Sequence, residues 1–182
     1  MSIGIKEKYL QEVVPALEKK FGYTNIMEVP KITKVVLNVG INSRNTDSGL
    51  LENVENTLIR ITGQKPVRTK ARVAISAFKV KENMVVGVVV TLRGQHMYDF
   101  LDKLINISLP RIRDFRGINP KTIDKNGNLS IGFKEHMVFP EIRSDEVEKI
   151  HGLQVTIATT AGSREVGEEL FRLLGFPLQK KS

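Results

Sequence analysis

Neither cysteine nor tryptophan occurs among the 182 residues. The first absence removes disulfides, thiolate nucleophiles, zinc ribbons and iron–sulfur clusters together, because each needs cysteine sulfur. No stretch approaches the roughly 18 uninterrupted apolar residues of a membrane span. The opening segment Met1–Glu7 reaches its first charges before any apolar run, so a soluble, cytoplasmic protein with no membrane partner is expected. Also missing are Gly-x-Gly-x-x-Gly, a Walker loop and a Gly-x-Ser-x-Gly elbow. His96, His136 and His151 lie far apart without metal-ligand spacing. Asp124, Asn126, Asn128 and Glu135 fall at calcium-loop positions, but Leu129 stands where that loop needs glycine. The sequence therefore reads as a non-enzyme without metal or cofactor.

Acid is absent from one long segment. Lys and Arg total 28 against 20 Asp and Glu, a net charge of +8, which favours a polyanionic partner. From Arg60 to Lys81 the chain carries seven basic residues and no carboxylate in 22 positions. A run without acid cannot neutralise itself internally as an ordinary solvated helix face does. Phosphate contacts release counterions and give a steep salt dependence. A second basic cluster spans Arg111 to Arg116.

A length of 182 residues with 41% hydrophobic content suits a single domain with a sizeable core. Tyr9, Val13, Leu17 and Phe21 recur every four residues in a first helix capped by Ser2, kinked at Pro15 and stopped at Gly22. A β-branched strand follows from Lys31 to Gly40, with Val35, Leu37 and Val39 on one face and Lys34, Val36 and Asn38 on the other. Leu51, Val54, Leu58 and Ile61 form the stripe of a helix over 48–62, with Gly63 at its end. The strand from Met84 to Arg93 is apolar on both faces, as a central strand is. A helix over 95–108 ends at Pro110, and Arg111–Gly117 reads as a strand or extended loop.

Asn126-Gly127 predicts a primed hairpin turn before alternating Leu129, Ile131 and Phe133. A last strand over 153–160 precedes a helix capped by Ser163, with Val166, Leu170 and Leu173 inward and Gly175 closing it. Four helices and at least four strands in this order predict an α+β fold with a largely antiparallel sheet packed with helices.

The long strand over 84–93 carries no aromatic residue, which argues against stacking unpaired bases on a sheet. What the strand faces and turns offer instead is short polar groups, Asn38, Gln64 and Thr91, beside basic Lys34 and Arg93. Such groups suit sugar hydroxyls, phosphates and base edges of an irregular RNA.

Motifs along nearly the whole chain resemble the large-subunit ribosomal protein five family. They include Phe21-Gly22-Tyr23, Val36-Leu37-Asn38-Val39-Gly40, Ile61-Thr62-Gly63-Gln64-Lys65-Pro66-Val67, Val90-Thr91-Leu92-Arg93-Gly94, Leu109-Pro110-Arg111-Ile112-Arg113-Asp114-Phe115-Arg116-Gly117 and Phe139-Pro140-Glu141-Ile142. The resemblance implies a structural constituent of the large ribosomal subunit that binds 5S rRNA in the central protuberance. It places the 5S surface on Asn38, Gln64, Phe78, Thr91 and Arg93, to which the strand reading adds Lys34. It implies that a projecting basic loop, about 69–85, carries Lys70, Arg72, Lys79 and Lys81 toward peptidyl-site (P-site) tRNA. Arg111, Arg113, Arg116, Phe139 and Glu141 would lie near a bridge to small-subunit ribosomal protein thirteen, and 23S rRNA and neighbouring central-protuberance proteins complete the expected partners. The alternative from composition alone is a general basic RNA-binding or RNA-chaperone module.

Overall fold

The computed structural model describes residues 4–41, 48–143 and 150–179, the side chains of Ser48 and Phe78 excepted. The helices are α1 (Ile5–Lys8), α2 (Val14–Phe21), α3 (Ser48–Thr62), α4 (Gly94–Lys103) and α5 (Arg164–Leu174); the strands are β1 (Ile32–Gly40), β2 (Val67–Lys70), β3 (Val85–Leu92), β4 (Leu129–Phe133) and β5 (Leu153–Thr159). The five strands form one antiparallel sheet in the order β2-β3-β1-β5-β4, with helices, so the α+β class holds. β3 lies inside this order, as its two apolar faces require. Cα proximity divides the chain into two compact units. One comprises Met1–Val35, Leu92–Ile131 and Thr156–Ser182, the other Val36–Thr91 and Gly132–Val155.

In the first unit the N-terminal helical segment is broken by a π turn, Tyr9–Val13, between α1 and α2. A second π turn, Leu104–Ser108, follows α4 and leads into a 3₁₀ turn, Leu109–Arg111. The two share a cause. A proline ring in regular α geometry strikes the carbonyl four residues before it. For Pro15 and Pro110 those carbonyls belong to Gln11 and Asn106, each inside a π turn, where the wider winding displaces them. The fourth helical path therefore continues through Pro110 to Arg111 instead of stopping before it, and Arg111–Gly117 is a turn and loop rather than a strand.

The predicted cap at Ser2 lies outside the described residues. Gly22 ends α2 in the left-handed region and its N–H reaches the Glu18 carbonyl at 2.9 Å. Ser163 accepts the Val166 N–H at the start of α5, whose inward side is Val166, Leu170, Phe171 and Leu174, while Leu173 stays half-exposed.

The Asn126-Gly127 turn is a hairpin of another type than predicted. Only Gly127 has positive φ, at +81°, and its N–H donates to the Asp124 carbonyl at 3.2 Å. A primed turn needs positive φ at both central residues or at the first of them; here a common turn followed by a left-handed glycine closes the loop. The Asp124 carboxylate explains the choice, since it accepts the N–H groups of Asn126 and Asn128 and the Asn128 side-chain amide at 2.8–2.9 Å. Partial burial pushes this carboxyl up, but those hydrogen bonds outweigh it and hold it below its ordinary range. Its oxygens are thus engaged in the turn, and no cluster of potential metal ligands forms among the described residues.

In the second unit α3 carries the predicted stripe, with Leu51, Val54, Leu58 and Ile61 all buried. Gly63 takes φ +68° and its N–H caps the Ile59 carbonyl at 2.7 Å. His136 is buried and stacks on His151 with ring centroids 4.0 Å apart and planes 9° from parallel. The His151 N–H also donates to His136 Nδ1 at 3.3 Å, so the two rings hold their segments together. Burial, then the neighbouring His136, pushes the His151 imidazole down to about 4.

Two outcomes follow for stability. Leu58→Ala removes a fully buried side chain and costs about 3 kcal/mol, read as a lowered urea midpoint. Because unfolded His151 takes a proton near pH 6.5 and folded His151 only near 4, the unfolded chain binds more protons between those values. The stability His151 contributes is complete above pH 6.5 and is lost as pH falls toward 4, and His151→Gln flattens that decline in melting temperature.

Candidate nucleic-acid interface

The second unit presents two unlike sheet faces. On β3, Val88 and Val90 are buried, while Val89 and Thr91 are half-exposed. Register joins β2 to this pattern: Val67 stands opposite Val89, Arg68 opposite Val88, and Thr69 opposite Gly87. Directly opposed residues share a face, so Arg68 lies on the buried side with Val88. There it forms a two-pronged ion pair with Glu55 of α3, its Nη2 donating to Oε2 at 3.0 Å. The side-chain hydrogen bond from Arg68 holds the Glu55 carboxyl below its ordinary range. This pair places α3 on the Val88 side of the sheet. The other side carries Val67, 64% exposed, with Thr69, Gly87, Val89 and Thr91.

β1 contributes to that same side. Val39 is buried and Asn38 exposed, and the Asn38 side chain reaches over Gly87, where a Cβ would stand 3.6 Å from its Oδ1. Gln64, exposed in the turn after α3, donates its side-chain amide to the Thr91 carbonyl at 3.2 Å. Asn38, Gln64 and Thr91 thus all belong to the second unit and are solvent-accessible. Lys34, half-buried on β1, and Arg93, exposed as the residue before α4, belong to the first unit. The Phe78 side chain lies outside the described residues. Sequence reasoning missed Thr69 and Gly87; the available signal was a glycine interrupting a run of valines.

After β2 the chain makes a hairpin-like excursion closed on itself. Ala71 N–H donates to the Met84 carbonyl at 2.8 Å, and Ile75 and Val80 exchange backbone bonds at 2.9 and 3.1 Å around the 3₁₀ turn Ser76–Phe78. Lys79 and Asn83 sit at positive φ, 54° and 66°, which tightens the return. Lys70, Arg72, Lys79 and Lys81 are exposed and form no salt bridge with the carboxylates among the described residues. The basic run is therefore partly compensated, by Glu55 upstream of it in α3, and the uncompensated charge collects on the excursion.

Arg111, Arg113 and Arg116 are exposed on the first unit's loop. Asp114 turns that loop through φ +55°, and its far end is tied down by Ile118 N–H on the Pro177 carbonyl at 2.7 Å and by the Gln179 side chain on the Gly117 carbonyl at 3.2 Å. Phe139 and Glu141 lie in the second unit. Phe139 is fully buried against Phe133, ring centroids 5.6 Å apart, so its ring is a core residue and not a contact for a partner. Glu141 is half-buried.

Residues 25–81 match the family model described as "Ribosomal protein L5", and residues 85–178 match the model for the C-terminus of the same ribosomal protein family. The chain is 49% identical over 181 residues to the large ribosomal subunit protein uL5 of Clostridium kluyveri, all of both chains being covered. The corresponding protein of Halothermothrix orenii is 50% identical and that of Desulfatibacillum aliphaticivorans 48% identical, each over 176 residues covering 97% of this chain and 98% of the relative.

Proposed function

The chain belongs to the ribosomal protein L5 family, and on that premise we propose that it is a structural component of the large ribosomal subunit that holds 5S rRNA on the uncovered sheet face of its second unit. The observation that carries the reading is the division of that sheet: α3 and its ion pair occupy one face, while the other sets short, uncharged hydrogen-bonding groups beside Val67 and Val89. Asn38, Gln64 and Thr91 have the reach and mixed donor–acceptor character to engage sugars and base edges of a folded RNA. Phe78 and Arg93 are assigned to the same RNA by motif and Lys34 by its place on β1, the two cations supplying phosphate contacts.

The exposed cations of the excursion, Lys70, Arg72, Lys79 and Lys81, act as sequence-independent phosphate contacts to P-site tRNA. Arg111, Arg113 and Arg116 face acidic or phosphate-rich neighbours, 23S rRNA or the small-subunit protein thirteen bridge, with Glu141 on the second unit near that bridge. Other central-protuberance proteins are neighbours. Nothing in this reading requires catalysis, a cofactor or a metal.

Two measurements test it. Asn38→Ala and Thr91→Ala each weaken 5S rRNA binding about fivefold or more in filter binding at fixed salt, with melting temperatures close to the parent's, since each loses one solvent-accessible hydrogen-bonding group. Unchanged affinity, or equal affinity for an unrelated RNA of the same length, replaces the reading by general RNA binding. Lys70→Gln with Arg72→Gln leaves 5S affinity near the parent's and lowers P-site tRNA occupancy on reconstituted subunits. Equal loss in both assays refutes the division between sheet face and excursion.

A further inference from the structure

The first unit carries a groove that none of the RNA assignments uses. α1 packs against α4, and residues of these two helices, together with Leu10 of the π turn after α1, line an open cavity of about 550 Å³, a size that accepts a ligand or a short stretch of peptide. Its apolar part is Ile5, Leu10 and the Tyr98 ring. The buried residues of the N-terminal helical segment are Ile5, Val13, Val14 and Leu17, whereas Leu10 is 59% exposed. A large aliphatic side chain that this chain's own core does not use therefore stands in a concave, solvent-filled place, where a partner's apolar side chain can cover it.

The charge around the groove is opposite to that of the chain. Glu7, Asp99 and Asp102 line it against Lys6 alone, in a protein of net charge +8. Two cations adjoining these residues in sequence are engaged elsewhere: Lys8 donates to the Leu174 carbonyl at 3.4 Å, and the Lys103 ammonium lies 5.8 Å from the Phe100 ring centroid. Asp99 and Asp102, three apart on α4, share one helix face. Each is oriented by an uncharged donor, the Gln95 amide on Asp99 Oδ1 at 2.8 Å and the Asn106 amide on Asp102 Oδ1 at 3.0 Å. These amides fix the carboxylates without cancelling their charge, and no salt bridge reaches either one among the described residues. The second oxygen of each is left for a cation that a partner supplies. Burial pushes the Tyr98 hydroxyl up from its ordinary value, so at neutral pH it adds a donor and no charge. A phosphate backbone would meet repulsion here.

We propose that this groove docks a basic segment of a neighbouring protein, an apolar side chain of that segment covering Leu10 while its Lys or Arg residues meet Asp99 and Asp102. The arrangement is that of a peptide-binding groove, an apolar anchor site with a charged rim that selects the sign of the partner. The proposal rests on the place of the chain in a large ribosomal subunit only for the presence of such a neighbour. It is independent of the RNA assignments to the second unit and the excursion.

The test is fluorescence anisotropy with purified full-length protein and a labelled probe peptide of about 12 residues in which Lys and Leu alternate. The probe is expected to bind, and a peptide with Glu for Lys or Gly for Leu to bind at least about tenfold more weakly. Asp99→Asn combined with Asp102→Asn keeps the side-chain shapes and removes both charges. That variant weakens the probe about fivefold or more, and Leu10→Gln does likewise, each with 5S rRNA affinity and melting temperature near the parent's. Absence of probe binding, parent-like binding by either variant, or equal binding of the Glu or Gly peptide overturns the groove. A loss of 5S rRNA affinity in either variant assigns the face to RNA and overturns it too. Because the chain has no cysteine, Leu10→Cys places a single thiol in the groove. A maleimide is expected to label that thiol readily in the free protein and slowly in large subunits that carry the variant. Equal labelling in the two, or labelling of the free protein that slows as its concentration rises and so points to a second copy, overturns the neighbouring protein as occupant.

Discussion

One-sided burial of the second unit's sheet governs the rest of its architecture. A strand alternates its side chains, so every apolar residue committed to α3 fixes the identity of the face its neighbours present to solvent. Val88 and Val90 turn inward, which obliges Gly87, Val89 and Thr91 to turn outward, and the β2 register carries Thr69 out with them. A shift of one residue would bury Asn38 and Thr91 and expose the valines, at a cost far above any single polar contact. The positions of the proposed RNA-facing groups are thus set by hydrophobic burial on the far side of the same strands.

Charge is arranged on a different principle. Arg68 stands within the basic run yet belongs to the fold, because Glu55, 13 residues upstream, meets it on the helix-covered face. Pairs of this exposure contribute little to stability on their own, but this one fixes which side of β2 faces α3. The remaining cations of the excursion form no salt bridge with the carboxylates among the described residues, so a polyanion would relieve their mutual repulsion. The neutral recognition proposed for the sheet and the cationic attraction proposed for the excursion would be physically separable, one nearly indifferent to salt and the other strongly dependent on it.

Most of the secondary structure was legible because its signals were local and periodic. The α3 stripe, the alternation along β1, the glycine stops and the Ser163 cap are all short-range patterns, and each stands where the periodicity places it. What escaped was non-local or depended on fine geometry. The Asp124 side chain selected the hairpin turn by bonding backbone groups ahead of it. The prolines at 15 and 110 have the sequence signature of breakers, whereas π turns accommodate them. Phe139 sits in a motif that the resemblance placed near a subunit bridge, and only the packing against Phe133 reveals it as core. Asn38, Gln64 and Thr91 were visible as polar interruptions of apolar segments; Thr69 and Gly87 were not, since their juxtaposition depends on a strand pairing that no single segment encodes.

The strand order has a consequence for how the chain is made. β1 lies between β3 and β5, and residues 32–40 must therefore wait for residues 153–159 before their second edge is paired. The β2-β3-β1 half can assemble as soon as residue 92 has been synthesised, because its contacts are closer in sequence. Until the later strand arrives, the growing polypeptide holds an open β edge that invites pairing with the wrong chain. Translation speed across the stretch from β3 to β5 sets how long that vulnerable intermediate persists.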